Sequence, residues 1–325
     1  LKRLGILGTF VWDSVWTLAD QAAGRPLETW GGMSFSLASA AATRPDGWEI
    51  VPIAHVGADL FERAHGFLDT LGGVGSRDAV VAVPEPNNRV ELVYTDEASR
   101  GEKMSGGVPG WTWPELAPHL EGLDALYINF LSGWEIDLAA AKMLSAELSR
   151  PVYADLHSLF LGPPLADGPR EPRRLPRADE WLGCFTAVQM NAEEFELLTG
   201  SAPDGPRALQ EVQCLGPRGV FVTLGGGGAR YMADQRMLRP NGPAASFDAD
   251  CVPAAPCPPG GDPTGCGDVW GASLFCGLLG GMDAASAVRR ANAVAAAKLE
   301  HRGGSGLYEH LVARRAAWDA AGLDD

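Results

Sequence analysis

No stretch of this 325-residue chain approaches the roughly 20 consecutive apolar residues that a bilayer-spanning helix needs. The opening LKRLGILGTFVWD has too short an apolar run and no small-residue cleavage pattern for a secretory leader, so a cytoplasmic protein is expected. Basic residues are scarce: 26 Lys and Arg stand against 41 Asp and Glu, a formal charge of −15. Such a surface repels polyanions, which argues against nucleic acid or an anionic membrane as partner. Small anions stay open to it, because a local nest of backbone N–H groups holds phosphate whatever the global charge. Cysteine is sparse and unpatterned. Cys184, Cys214, Cys251, Cys257, Cys266 and Cys276 form no CxxC pair and no metal-ligand spacing, so reduced thiols with mainly packing roles are expected. A Walker loop, GxxxxGK[ST], is absent.

What is present is an alternation of strand-like and helical segments. Apolar runs at 4–11, 50–56, 125–130, 151–156, 186–190 and 219–224 lack polar alternation. Helical patterns at 34–43, 59–71 and 137–150 lie between them. Unalternated strands separated by helices predict an α/β fold, a three-layer doubly wound sheet that is mostly parallel and buried on both faces. Two stretches break the pattern. SVWTLADQAAGRPLETWGG after Asp13 is too polar for a core crossover, and Val90, Leu92 and Tyr94 alternate with polar neighbours as in a half-exposed strand. Both read as parts of a small β lid, at about 14–32 and 86–107, inserted in a single domain spanning 1–325. A Pro/Arg-rich loop at 162–177 does not divide that domain, because strands continue beyond it.

The chemistry concentrates at GGDPTGCGDVWGASLFCGLLGG, residues 260–281. A helix apolar on every side is a core helix, and this one starts from a proline-rich loop near Gly265 to Asp268. Its N-terminus offers unpaired amides and a partial positive charge. Glycines at 265 and 267 let a ligand approach the backbone closely. Asp268 lies in the first turn. An anion cradle with a carboxylate beside it suits phosphoryl transfer to a hydroxyl, where one part stabilises charge and the other takes the proton. Capping alone would account for one aspartate, not for the flanking glycines and Asp262. The dinucleotide fingerprint is a poor alternative, since no strand precedes GCGDVWG and Asp283 is the only nearby acid downstream. Cys266, with no assignable base, reads as a small filler.

DPTGCGD before an apolar helix resembles the C-terminal signature, DTxGAGD, of the ribokinase-like (pfkB) family of sugar and nucleoside kinases. GTFVWD and WGGMSFSLASAAA (30–42) are similar to that family's N-terminal double-glycine motif. NAEE (191–194) resembles its N-x-x-E motif, and VTLGGGG (222–228) its nucleotide-side strand and turn. The resemblance implies Asp268 as catalytic base, with backbone amides of Gly265, Cys266 and Gly267 as anion hole. It places Asp13, Gly31, Gly32, Ser36, Arg89 and Asp155 on the acceptor side. Thr223, Gly225, Gly228 and Asn292 fall beside the nucleotide. Asn191 and Glu194 fall near Mg²⁺ and the phosphates, Glu194 through water, and Asp262 is a candidate ligand for a monovalent cation, K⁺.

Departures from the family pattern bear on the acceptor and the cation. Ser36 stands where an asparagine is usual, Pro263 where Thr or Ser is usual, and His157 where many relatives carry Asn. Arg89, Arg100 and Lys103 of the lid are candidate contacts to a phosphorylated acceptor, and exposed lid strands could pair two copies. The implied activity is ATP- and Mg²⁺-dependent transfer of the γ-phosphate to a hydroxymethyl group of a sugar, sugar derivative or nucleoside. A catalytically silent sugar- or nucleotide-binding sensor on the same fold is the alternative, and a nucleotide-dependent dehydrogenase a more distant one. Locally, Asn191 and Glu194 also match a helix capping pair, Asp13 a turn residue, and the glycines at 225–228 a plain tight turn.

Overall fold

The computed structural model describes residues 1–95, 100–163, 170–238, 246–257 and 260–320. Parts of the second lid segment (96–99), the Pro/Arg-rich loop (164–169) and the loop before Asp268 (258–259) lie outside the described residues, as does the Arg100 side chain.

Thirteen strands are described: β1 Lys2–Leu7, β2 Phe10–Trp16, β3 Leu27–Gly32, β4 Trp48–Gly57, β5 Val80–Val83, β6 Arg89–Tyr94, β7 Arg100–Ser105, β8 Ala125–Asn129, β9 Val152–Asp155, β10 Ala187–Asn191, β11 Gly219–Thr223, β12 Ala229–Asp234 and β13 Phe247–Val252. The helices are α1 Leu18–Ala23, α2 Met33–Thr43, α3 Phe61–Asp69, α4 Trp113–Leu116, α5 Leu138–Glu147, α6 Ala178–Leu182, α7 Ala192–Thr199, α8 Pro206–Gln213, α9 Cys266–Leu279, α10 Ala284–Leu299 and α11 Leu307–Ala320. None is long and apolar enough to cross a membrane, among the described residues.

Nine strands form the main sheet in the order β13-β12-β11-β10-β9-β8-β1-β4-β5. All its pairings are parallel except the two made by β12. Successive side chains of a strand point to opposite faces, and both faces here are apolar. Tyr127 and Tyr153 pack with α2, α9 and α10 on one side, while Leu126, Ile128, Val152 and Ala154 pack with α5 and α6 on the other. The chain runs outward through β4 and β5, then returns to place β8 on the other flank of β1. Such a reversal opens a crevice at the carboxyl ends of the strands, where ligands bind in open α/β sheets.

The run at 4–11 does not form one strand. It breaks at Gly8 and Thr9, and its second part, β2, leaves the main sheet for a four-stranded one ordered β3-β2-β6-β7. Both stretches that broke the α/β pattern therefore meet in one small sheet, which begins at Phe10 rather than near residue 14. The parallel β2–β6 pair joins them, setting Asp13 opposite Val90. Period-two alternation reveals a half-exposed strand but says nothing of which sheet takes it.

The six cysteines are free thiols. Packing accounts for fewer of them than expected, since only Cys184 and Cys276 are buried while Cys214, Cys251 and Cys257 are exposed.

Candidate active site

Helix α9 begins where Gly265 turns with φ of 80° and caps it. Only glycine fits this position. The left-handed backbone disfavours other residues, and a Cβ here would lie 2.5 Å from the Phe35 ring of α2. From Val269 to Leu278 every residue is buried, so the helix is anchored by its apolar body and its N-terminus faces the carboxyl edge of the sheet. The Cys266 amide is spent on the Pro263 carbonyl, 3.1 Å away. That removes one of the three amides expected of the anion hole. Gly265 and Gly267 make no backbone hydrogen bond through their amides among the described residues.

Asp268, half-buried, accepts a hydrogen bond of 2.7 Å from the Asn129 side chain at the end of β8. The same Asn129 amide donates to Ser36 Oγ at 2.7 Å, and Ser36 lies 3.5 Å from the Asp268 carbonyl. Burial raises the Asp268 carboxyl above its ordinary range, opposed by the Asn129 bond and by the charges of His157 and Lys298. A carboxyl poised in this way is a better base near neutral pH than an ordinary aspartate.

Adjacent parallel strands deliver further polar groups to this edge. Asn129 pairs in register with Asp155, and Asp155 with Gln189. Gln189 donates to Asp155 Oδ2 and to the Gly267 carbonyl, each at 3.0 Å, and accepts from the Tyr153 hydroxyl at 3.0 Å. It thereby ties the first turn of α9 to the sheet. Burial, with the nearby Asp268 charge, pushes the Asp155 carboxyl up to about 8, against the pull of His157. His157 Nδ1 lies 2.6 Å from Glu194 Oε1. Burial opposes charge on His157, but Glu194, backed by Asp155 and Asp268, raises it to about 10. One imidazole thus sits among three carboxyl groups.

Of the residues expected on the acceptor side, Asp13 is buried against Gly31. A Cβ on Gly31 would fall 1.9 Å from Asp13 Oδ2, so glycine is what admits the carboxylate. Gly32 caps α2, and Ser36 one turn later reaches Asp268. A single helical turn, about 5.4 Å of rise, therefore links Asp13 and Gly32 to Asp268. Arg89 points elsewhere: it pairs with Asp59 at 2.7 Å and is half-exposed. Asp155 is buried beneath Gln189 rather than on an open wall.

On the opposite side of α9, a cavity of about 250 Å³ is lined by Thr223, Gly225, Gly228, Cys266, Trp270 and Asn292, among others. Asn292 shapes this wall with both ends of its amide committed, accepting from Trp270 Nε1 and donating to the Pro253 carbonyl, each at 2.8 Å. Gly225–Gly227 form a short 3-10 turn that Gly228 caps. Asn191 and Glu194 form a full capping box on α7, the structural alternative in the sequence. Glu194 Oε1 is occupied by His157 and by Asn191 Nδ2, whereas Oε2 accepts only the Asn191 amide. No group of three or more His, Cys, Asp and Glu side chains could cage a metal among the described residues.

Three participants escaped sequence reading as site residues: Asn129, Gln189 and His157. The first two were visible only as polar interruptions at the ends of apolar strands, ALYIN and TAVQM. His157 was noticed as a departure but given no role.

Residues 164–310 match the sequence profile of the pfkB family carbohydrate kinases. The matched stretch holds NAEE, VTLGGGG and the Asp268 turn, while the double-glycine segment lies outside it. Comparison with curated proteins found no sequence match. Among solved structures, the chain is similar to a pyrophosphate-dependent kinase of the ribokinase family complexed with a pyrophosphate analog and myo-inositol, with 18% identity, TM-score 0.71 and coverage of 95% of this chain and 98% of that one. It is similar to a Burkholderia thailandensis nucleoside kinase in complex with inosine, with 18% identity, TM-score 0.71 and 97% of each chain covered. A third likeness is to an E. coli protein described as a putative ribokinase II in complex with ATP and Mg²⁺, at 18% identity and TM-score 0.71, covering 97% of this chain and 100% of that one. At such identities these likenesses establish a ribokinase fold along nearly the whole chain.

Proposed function

We propose that this protein is a pfkB-family kinase that transfers the γ-phosphoryl group of ATP to a hydroxymethyl group of a sugar, sugar derivative or nucleoside. The observation that carries the reading is the position of Asp268. Its carboxylate stands in the first turn of α9, held by Asn129, with Ser36 of α2 3.5 Å from its carbonyl and its neighbour Gly267 lining the cavity beside Thr223 and Trp270. An acceptor hydroxyl there would give its proton to Asp268 as its oxygen bonds to phosphorus. The free amides of Gly265 and Gly267, with the positive end of α9, would meet the oxygens of the transferred group. The second sheet would act as a lid that excludes water, a competing acceptor.

ATP rather than pyrophosphate is the donor we favour, because an apolar cavity beside the anion hole has room for a nucleobase that pyrophosphate would leave empty. Magnesium would arrive with the donor phosphates, supplying charge neutralisation, and Glu194 fits it only through water: Oε2 retains a lone pair while Oε1 is taken. Arg89, tied to Asp59, gives little support to a phosphorylated acceptor, and the neutral sugar and nucleoside classes come first. A homodimer through the free edge of β7 remains part of this proposal, tested by sedimentation. The deciding experiment is an ADP-release screen of sugars, sugar acids, phosphosugars and nucleosides with ATP and Mg²⁺. No ADP release with any acceptor would leave the silent sensor standing, and a nicotinamide absorbance change would favour a dehydrogenase.

A further inference from the structure

Asp262 was the candidate ligand for K⁺, and the surrounding residues do not fit one. Lys298 of α10, with a side chain fully buried, extends its ammonium to the Asp262 carbonyl at 2.9 Å and to Asp262 Oδ2 at 3.2 Å. These are the oxygens a monovalent ion would use. The Nζ also lies 5.5 Å from the centre of the Phe35 ring, the ring against which Gly265 turns. A buried ammonium must find partners for its donors, and here two go to one aspartate while a π face lies beside it.

We infer that Lys298 is a built-in cation that replaces K⁺ behind the anion hole, so that this protein works without a monovalent ion. The loop it braces leads directly into α9. Asp262 also receives the Thr264 amide on Oδ1 at 3.0 Å, and its own amide bonds the Leu299 carbonyl at 2.9 Å. The ammonium therefore ties the loop before Gly265 to the end of α10 from below. It also offsets the Asp262 charge, which would otherwise weaken the positive field at the start of α9. The charged or titratable groups within its electrostatic reach are Asp262, Asp268, Cys266 and His301. Pro263 is compatible with this arrangement, since a loop held by a covalently attached cation needs no hydroxyl at that position to bind one. Lys298 is a positioning residue: it touches the loop and not the reacting atoms.

The effect on turnover rests on the kinase reading, but the binding of the charge does not, and the two are separable. For the wild type, the melting temperature without ligand and, once an acceptor is known, kcat and the donor KM should be the same in KCl as in tetramethylammonium chloride of equal ionic strength. Lys298→Ala should lower the ligand-free melting temperature, as when a buried charge loses its partner, and should lose activity by about tenfold or more through the unbraced loop. Both its activity and its ligand-free melting temperature should recover in KCl or NH₄Cl but not in tetramethylammonium chloride. Lys298→Met, which fills the space with apolar atoms, should show the loss without the recovery. Stimulation or selective stabilisation of the wild type by K⁺ would overturn the inference, and so would a Lys298→Met protein that behaves as wild type. If no acceptor is ever found, the melting series still decides it, and the kinase reading fails on its own.

Discussion

At Asp268 two requirements compete. As the proposed base, the carboxylate must be desolvated enough to seek a proton, yet remain ionised enough to accept one. Burial works toward the first, while Asn129, His157 and Lys298 restore the second. Asp268→Asn should preserve the fold and nucleotide binding while lowering kcat by about 10²–10⁴-fold, the usual contribution of a positioned general base. Stopped-time ADP assays and a nucleotide titration check both halves. In the wild type, log(kcat/KM) should rise with pH through a value above the ordinary aspartate range, because the base must lose its proton first. An acid limb near pH 4 would contradict the raised carboxyl. His157→Asn, which removes the cation among three carboxyl groups, should move that limb upward, since a nearby positive charge favours ionised Asp268.

Elements matter through how their ends are made. Helix α9 points its N-terminus at the site because Gly265 adopts a conformation that leaves its Cα against Phe35. Gly265→Ala should destabilise the protein by about 1–3 kcal/mol through strained backbone and the displaced ring, and should lower activity beyond that loss. Chemical denaturation beside steady-state kinetics separates the two. Helix α7 has a different beginning. Asn191→Ala should cost about 1 kcal/mol by removing the capping box. It should also free Glu194 Oε1 from one of its two partners, which makes any change in Mg²⁺ dependence a direct test of whether the residue does more than cap.

For the whole molecule, the polar cluster of buried Asp155 and half-exposed His157 couples folding to pH. Asp155 holds its proton up to about 8 when folded but releases it near 3.8 as an ordinary aspartate. Unfolding between those values releases a proton, so stability falls as pH rises from about 4 to 8 on account of this group. His157, raised from 6.5 to about 10, contributes stability that is present below 6.5 and is lost as pH climbs through 10. Asp262 and Asp20, both lowered, act in the opposite sense and only in acid, losing their contribution as pH falls. Asp155→Asn should flatten the decline between pH 4 and 8 in thermal melts, and an unchanged slope would show that the cluster does not hold that proton.

Local physics made much of this legible in the chain. Unalternated apolar runs marked β4, β8, β9, β10 and β11, because parallel strands covered on both faces leave no polar side. The glycine turn and Asp268 marked a helix N-terminus suited to anions, because orphan amides and the absence of Cβ atoms are properties of a few consecutive residues. The alternation of Val90, Leu92 and Tyr94 marked a strand with one wet face. Tertiary structure decided the rest, wherever partners are distant in sequence. It split the first apolar run between two sheets, joined β2 to β6, and brought Asn129 to Asp268 and Gln189 to Gly267. It used the Cys266 amide in a turn and Arg89 on Asp59, and it placed the Lys298 ammonium where a free ion was expected. Hydrogen bonds and buried charges are satisfied in space, and nothing in the spacing of Asp262 and Lys298 along the chain announces that one will neutralise the other.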